Sequence, residues 1–153
     1  MKIRQITQSE LPTLLALYQH LHATDAPLPA PEQLEMIWDE LLQNPRCRYL
    51  GAYLEDTLIA SCTIMIIPNL TRGCRPYGLI ENVVTDENHR GKGYGKAVVG
   101  AALSHAWSAH CYKVMLMTSR QDEGTALFYE SAGFDRHEKK AFVIKPPALQ
   151  NKD

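Results

Sequence analysis

The hydrophobic pattern along the chain switches between two periods, one typical of helices and one typical of strands. Apolar residues three or four positions apart, bordered by proline, glycine or polar residues, indicate helices. This spacing predicts helices over residues 9–21, 31–44, 95–110 and 124–132. Shorter apolar runs are typical of strands, which we predict over residues 3–6, 48–54, 58–67, 77–85, 113–117 and 141–145.

The predicted order of elements, βααβββαβαβ, indicates an α/β (α+β) fold built on one mixed sheet. Strands 48–54 and 58–67 are separated by a short polar turn and form an antiparallel hairpin. Strands 77–85 and 113–117 flank a helix, so they should lie parallel and close together. The remaining helices then cover both faces of the sheet.

Length and charge narrow the function classes. A chain of 153 residues fits one domain, which we place at residues 1–146, with a frayed tail at residues 147–153. The net charge of -1 argues against a protein that binds nucleic acid through bulk positive charge. No stretch approaches the ~20 apolar residues of a membrane span, and the N-terminus lacks the apolar core of a secretory signal. We therefore expect neither nucleic acid nor membrane as a partner.

The cysteines also bear on location. They stand at positions 47, 62, 74 and 111, too widely spaced for a metal-binding C-x-x-C pair. Three of them lie in apolar surroundings, where a reduced and buried thiol is the usual state. This usage predicts a cytoplasmic protein.

The segment with the clearest chemistry joins strand 77–85 to helix 95–110. Its residues combine glycines with cations, in the order Arg90, Gly91, Lys92, Gly93, Tyr94, Gly95 and Lys96. Glycine lets the backbone turn tightly and lets a ligand approach without a Cβ in the way. Amide N–H groups then converge at a helix N-terminus, where partial positive charge favours an anion. The segment therefore predicts a site for a phosphate or pyrophosphate.

Two nucleotide-binding motifs fail at this segment. A P-loop needs Ser or Thr after its Gly-Lys pair, and Ala97 stands there. A dinucleotide fingerprint would need a glycine at Lys96 or Val98. A helix-start loop without any ligand is the remaining alternative.

The segment Arg90-x-x-Gly93-x-Gly95 resembles the R/Q-x-x-G-x-G/A signature of the GNAT superfamily of N-acetyltransferases. Residues 80–85 resemble the fourth strand of that family, and residues 128–134 resemble its late F/L-Y-x-x-x-G-F motif. The resemblance implies a GNAT-like fold, with a mostly antiparallel mixed sheet and one central, splayed parallel strand pair.

The amino-acid sequences of two short segments narrow the resemblance further. Residues 80–84 and 111–114 are similar to glucosamine-6-phosphate N-acetyltransferases. The N-terminal half, where this family selects its acceptor, offers no comparable match. The acceptor therefore stays open at this point, and the resemblance also allows a homodimer.

The resemblance implies acetyl-coenzyme A as cosubstrate and no metal. The backbone amides of residues 90–96 would hold the pyrophosphate. The pantetheine arm would pair with Val83, Val84 and Thr85 like an added strand. Asp122 stands where the family often has Asn, and a carboxylate cannot donate as an amide does, so its contact with the cofactor is open.

Acetyl transfer to a primary amine needs a base, because such amines are mostly protonated at neutral pH. Glu81 is the candidate, since it interrupts an apolar strand where the family often has its base. We expect partial burial to raise its pKa. The alternative is a carboxylate on the solvent face of the strand. The amide of Val84 or a neighbour is the candidate donor to the oxyanion.

Departure of the coenzyme thiolate benefits from an acid. Tyr129 corresponds to the tyrosine of the family's late motif, and a phenol is a donor at neutral pH. The alternative is an aromatic packed in the core beside Phe128 and Phe134.

Weaker candidates concern the acceptor. Arginines in a loop could meet an acidic group, although a solvated basic loop explains them better. We take as candidate acceptor residues Asn82, Arg72, Arg75, Tyr77, His22 and Asp25. His22 and Asp25 have a metal-like spacing without a third ligand, so no metal is expected.

Together these observations predict an N-acetyltransferase that acts on a small-molecule amine by direct attack in a ternary complex. Two alternatives stay open. One is a coenzyme A-binding sensor without catalysis on the same fold. The other is an acetyltransferase that modifies proteins.

Overall fold

A computed structural model of the protein describes residues 1–22 and 24–147. Contacts divide the chain into two compact units, Met1–Thr118 and Ser119–Asp153. Among the described residues, the first unit contains the sheet and four α-helices, and the second contains one α-helix. Most of the predicted tail, residues 148–153, lies outside the described residues.

Five of the six predicted strands and all four predicted helices are confirmed, with ends that move by a few residues. The strands are β1 (Lys2–Gln5), β2 (Cys47–Leu54), β3 (Thr57–Ile67), β4 (Tyr77–Thr85) and β5 (Val114–Leu116). The helices are α1 (Leu11–Tyr18), α2 (Pro31–Gln43), α3 (Thr71–Cys74), α4 (Tyr94–Ser108) and α5 (Glu123–Ser131). The single turn α3 lies in a segment predicted as a loop. No helix in the described part of the chain is long and apolar enough to cross a membrane.

The sheet has the strand order β1-β2-β3-β4-β5. All neighbours are antiparallel except β4 and β5, which are parallel. The mixed α/β fold class, the hairpin and the parallel pair are therefore confirmed. The parallel pair lies at one edge of the sheet, however, and not at its centre.

The predicted strand over residues 141–145 is wrong. This segment has no regular secondary structure, and its apolar side chains are open to solvent. Phe142, Val143 and Ile144 are 91%, 78% and 89% exposed. Their β propensity suggested a strand, but a strand also needs a partner for its backbone, and propensity carries no information about one.

Both faces of β3 are covered, so residues 58–64 form an unbroken buried run. On one face the Cys62 thiol contacts the Val98 carbonyl oxygen of α4 at 3.6 Å, and burial raises the pKa of this thiol to about 12. On the other face, α1 and α2 close a core around Tyr53 and Val84. That core comprises Ile6, Leu14, Leu17, Trp38, Tyr53, Leu58 and Val84.

The cysteines agree with the sequence prediction. All four are free thiols, and Cys47, Cys62 and Cys111 are buried while Cys74 is exposed. In the described residues, no group of three His, Cys, Asp or Glu side chains is arranged to hold a metal.

Two glycine-to-alanine substitutions should have opposite effects on stability. A Cβ at Gly51 would meet Leu58 Cδ1 at 2.6 Å and Tyr53 Cε2 at 2.8 Å, whereas Gly100 in α4 faces open space. We expect Gly51→Ala to lower the free energy of unfolding by about 1–3 kcal/mol. Gly100→Ala should raise it by up to about 1 kcal/mol, because alanine is the better helix former. Urea unfolding measures both, and shifts of the same sign would contradict the packing described for β2.

Candidate functional site

A β-bulge lies halfway along β4. Thr63 of β3 pairs with Glu81, but Ser61 pairs with Val84, so one residue of β3 opposes two residues of β4. Asn82, the first of these two, has a φ of 52°. This left-handed conformation is more accessible to Asn than to most residues, because its short polar side chain can bond locally. The bulge turns the strand at the position next to Glu81.

Beyond the bulge, β4 keeps a partner on one side only. The parallel strand β5 pairs with Gly78, Leu79 and Ile80 and with no later residue of β4. β4 itself continues to Thr85 along β3. Within the described residues, the β5 side of positions 81–85 is therefore an open backbone edge. The two parallel strands part as the family resemblance implied.

The hydrogen-bond alternation of an antiparallel pair shows which groups face this edge. The Asp86 amide donates to the Ile59 carbonyl oxygen at 2.8 Å, so this pair is hydrogen-bonded. Hydrogen-bonded and non-hydrogen-bonded residue pairs alternate along an antiparallel ladder. The amide of Val84 is therefore directed toward Ser61, and the amide of Thr85 is directed toward the open edge. Val83 lies in the bulge, outside the regular ladder. Backbone donors for a ligand are therefore neighbours of Val84.

Glu81 is exposed, so the expected partial burial is wrong. The reason is its place in the strand. β4 is buried at Ile80 and Val84, while Glu81 and Asn82 at the bulge point away from the core. The carboxylate can accept a proton directly or through a water molecule.

The glycines of the connection from β4 to α4 are explained by backbone conformation. Gly91 and Gly93 have φ values of 73° and 85°, in the left-handed region. No heavy atom lies within 4 Å of a Cβ added at either position. Glycine is therefore needed for the turn itself, and the space above the turn is free.

The helix α4 begins directly after Gly93. At its N-terminus, the Ala97 amide donates to the Gly93 carbonyl oxygen at 2.9 Å. The amides of the preceding residues, Tyr94, Gly95 and Lys96, have no carbonyl one turn earlier to bond. We call these three N–H groups the amide cradle. Together with the helix dipole, they favour an anion of phosphate type.

The cations of this segment have distinct surroundings. Arg90 Nη2 donates to the His20 carbonyl oxygen at 3.1 Å, and its Nε donates to the Thr85 carbonyl oxygen at 3.4 Å. Lys92 Nζ donates to the Asn88 carbonyl oxygen at 3.1 Å. Lys96 is exposed. Of the three, Arg90 is the one that reaches a distant part of the chain.

Asp86, which sequence reasoning did not single out, lies between two histidines. His89 Nδ1 is 3.0 Å from Asp86 Oδ1, and His20 Nε2 is 3.5 Å from Asp86 Oδ2. The hydrogen bond with His89 is the main reason that the pKa of Asp86 is lowered. His20 and Asp86 are 66 positions apart in the sequence (86 − 20), so no local motif could reveal this cluster.

The second compact unit contains Asp122 and Tyr129, both on α5. Asp122 is the N-cap of this helix, and its two carboxylate oxygens accept the Thr125 amide at 2.8 Å and the Thr125 hydroxyl at 2.9 Å. These bonds lower the pKa of Asp122. The structure thus gives Asp122 a structural role that the sequence comparison did not foresee.

Tyr129 is held by the end of α5. The Phe134 amide donates to the Tyr129 carbonyl oxygen at 3.2 Å, and the Gly133 amide donates to the Glu130 carbonyl oxygen at 2.9 Å. With Gly133 at a φ of 97°, this is a Schellman motif. The Tyr129 ring meets those of Phe128 and Phe134 edge-on, at 4.9 and 6.2 Å between centroids. The late sequence motif therefore encodes both the aromatic neighbours of Tyr129 and the end of its helix.

The sequence analysis did not predict a pair of salt bridges that stabilises α5. Arg136 binds two carboxylates at once: Glu130 at 2.7 Å and Glu123 at 2.9 Å. These ion pairs lower the pKa of both glutamates. The sequence did not indicate these ion pairs, because the two glutamates are 6 and 13 positions away from Arg136.

The candidate acceptor residues do not form one cluster. Arg75 donates to the carbonyl oxygens of His110 and Cys111 at 3.3 and 3.1 Å, so it secures the end of α4. Asn82 is exposed at the bulge, and His22 and Asp25 are exposed before α2.

Arg72 and Tyr77 do lie near each other, since both are close to Tyr112, which was not among the predicted acceptor residues. The Arg72 guanidinium lies 5.9 Å from the Tyr112 ring, and the Tyr77 ring lies 6.4 Å from it. Lys113 Nζ is 5.3 Å from both tyrosine rings. This group combines two cations with two aromatic faces.

Comparison with known proteins agrees with this geometry. The profile of the acetyltransferase (GNAT) family matches residues 12–134. A glucosamine 6-phosphate N-acetyltransferase of Trypanosoma brucei brucei is 34% identical over 141 residues, which cover 92% of each chain.

Solved structures give the same result. A protein from Agrobacterium tumefaciens str. C58, whose assignment as an acetyltransferase is provisional, is 42% identical with a TM-score of 0.89, over 95% of this chain and 100% of that one. The glucosamine-6-phosphate N-acetyltransferase of Arabidopsis thaliana is 27% identical with a TM-score of 0.79, over 95% of this chain and 96% of that one. The chain therefore belongs to the acetyltransferase (GNAT) family and is an N-acetyltransferase.

Proposed function

We propose that this enzyme transfers the acetyl group of acetyl-coenzyme A to the amine of glucosamine 6-phosphate, by direct attack in a ternary complex. One observation carries the cofactor assignment: the open edge of β4 leads, through the glycine turn, into the amide cradle of α4. An extended amide-containing arm that ends in a pyrophosphate fits this sequence of sites. The choice of acceptor rests on the relatives named above.

The cofactor would be bound mainly by backbone groups. The pantetheine arm carries amides of its own and would bond the edge at Val83 and Thr85, as an added strand does. The pyrophosphate would lie on the amide cradle, with the positive charges of Lys92 and Lys96 nearby. Because the cofactor would bond the backbone, the glycines between β4 and α4 would contribute more to its binding than any side chain.

Glu81 is the proposed base. The amine of the acceptor must lose a proton before or during attack, and a carboxylate at the bulge is placed beside the open edge. An edge amide next to Val84 would donate to the oxyanion as the tetrahedral intermediate forms. The bulge therefore brings a proton acceptor and a hydrogen-bond donor to the same stretch of backbone.

Tyr129 is the proposed acid for the leaving thiolate. Its support lies within its own unit, where two aromatic rings contact the side chain edge-on and the Schellman motif bonds the backbone carbonyl of Tyr129. A phenol in a fixed orientation can donate a proton without a large loss of side-chain entropy.

The phosphate of the acceptor requires a cation. Arg72 is exposed, and its guanidinium lies 5.9 Å from the centroid of the Tyr112 ring, so we propose that it binds this anion. Arg75 is the weaker candidate, because two backbone carbonyls already accept from it.

The proposal is tested by calorimetry with acetyl-coenzyme A and by thiol release with three acceptors: glucosamine 6-phosphate, glucosamine and a peptide with a free N-terminus. We expect binding of the cofactor and fastest turnover with glucosamine 6-phosphate. Absence of cofactor binding at millimolar concentration would overturn the cofactor site. Binding without turnover would favour a sensor, and turnover with the peptide alone would favour a protein acetyltransferase.

Glu81→Gln should lower kcat by about 10²–10⁴-fold, because an amide cannot take up the proton of the amine. The affinity for acetyl-coenzyme A should be unchanged, since the cofactor bonds the backbone. Glu35→Gln is the matched control, an exposed glutamate on α2. Steady-state kinetics measure the effect, and equal kcat values for the two variants would remove Glu81 from the mechanism.

Tyr129→Phe should lower kcat about 10²-fold at neutral pH without weakening cofactor binding. The phenylalanine keeps both ring contacts and removes the hydroxyl. The deficit should shrink above about pH 8.5, where a thiolate leaves without help. A pH profile of kcat for both proteins measures this, and a deficit that is constant with pH would argue for packing alone.

A further inference from the structure

Arg90 connects two parts of the first unit that are distant in sequence. Its Nη2 donates to the carbonyl oxygen of His20 at 3.1 Å, in the turn that ends α1. Its Nε reaches the carbonyl oxygen of Thr85 at 3.4 Å, at the end of β4. His20 itself continues the helical turn, since its amide donates to the Leu17 carbonyl oxygen at 3.0 Å. One guanidinium thus joins the end of a helix to the end of a strand.

A second contact joins the same two places. Asp86, which directly follows β4, has its Oδ2 at 3.5 Å from Nε2 of His20. Its other oxygen accepts the Asn88 amide at 2.9 Å and contacts His89 at 3.0 Å. His20 is therefore held at its carbonyl by Arg90 and at its ring by Asp86, and both residues flank the connection from β4 to α4.

We propose that Arg90 is a positioning residue, whose guanidinium ties the turn after α1 to the end of β4 and so fixes the open backbone edge that receives the acetyl donor. This inference rests on the proposed function. It assigns to Arg90 a role that differs from that of a phosphate ligand, although its positive charge stands beside the amide cradle.

The position of the Arg90 contacts explains why they should affect binding of the acetyl donor. Beyond Ile80 the strand β4 has no partner on the β5 side, so its end lacks half of the support of an ordinary inner strand. The Arg90 contact at Thr85 lies at the last residue of that half-supported segment. The planar fork of arginine can reach two carbonyl oxygens at fixed angles, which a lysine ammonium cannot reproduce.

Two arginine variants and one comparator separate the roles. Arg90→Met removes the charge and the donors, and Arg90→Lys keeps the charge but loses the fork. Lys92→Met removes a neighbouring charge whose hydrogen bond, to the Asn88 carbonyl oxygen, stays within the connection from β4 to α4. Each variant is assayed with acetyl-coenzyme A and with S-acetylpantetheine, which carries no phosphate. Hydrogen exchange of residues 18–22 and 83–87 is measured without any ligand.

For a positioning residue, both Arg90 variants should lose about tenfold in kcat/KM with both donors. Residues 18–22 and 83–87 should exchange faster in both Arg90 variants than in wild type. Lys92→Met should lose more with acetyl-coenzyme A than with S-acetylpantetheine.

A phosphate ligand would behave differently. The loss in Arg90→Met would be confined to acetyl-coenzyme A, Arg90→Lys would retain most activity, and exchange would match wild type. That pattern would overturn the inference and leave the proposed function intact. Failure of the wild-type protein to use either donor would instead overturn the proposed function, while the exchange rates would still decide whether Arg90 ties the two segments.

Discussion

The structure depends above all on the early loss of pairing between β4 and β5. A strand inside a sheet normally has both rows of backbone groups bonded to neighbours, and β4 is bonded in this way only as far as Ile80. From Glu81 to Thr85 it keeps one neighbour and presents the other row of N–H and C=O groups at an open edge. Such an edge binds extended chains by adding a strand. In the proposed mode of binding, the amides of the cofactor arm bond this edge in the same way.

The other features of the site follow from where this edge begins and ends. At its beginning, the bulge at Asn82 turns Glu81 away from the core and into solvent. At its end, two left-handed glycines reverse the chain and start α4, so that the edge leads into the amide cradle. Burial of Val84 between these points anchors the segment to the core. In the proposed mechanism, the side chains at this edge supply proton transfer, and backbone groups supply the rest.

Sequence reasoning succeeded where local physics decides the outcome. The glycine turn could be predicted because left-handed backbone conformations strongly favour glycine, and β4 could be predicted because apolar residues lie on both sides of Glu81 and Asn82. It failed for residues 141–145, because pairing of a strand depends on a partner that local propensity does not identify. It also failed for the burial of Glu81, since an extra residue in the strand changes which side chains face the core. The ion pairs of Arg136 were missed because its partners are 6 and 13 positions away, and the contact of Asp86 with His20 was missed because it joins distant segments.

The sequence by itself determined the periodicity of the elements, the anion-binding character of residues 90–96 and the family signature, because these properties depend on residues within a few positions of one another. Only the tertiary structure decided where β4 loses its neighbour, which amides face the open edge and what Arg90 contacts. Those features depend on strand register and on packing between segments far apart in the chain. His20 reaches Arg90 only because α1 packs on the sheet beside β4, and no local pattern specifies that approach.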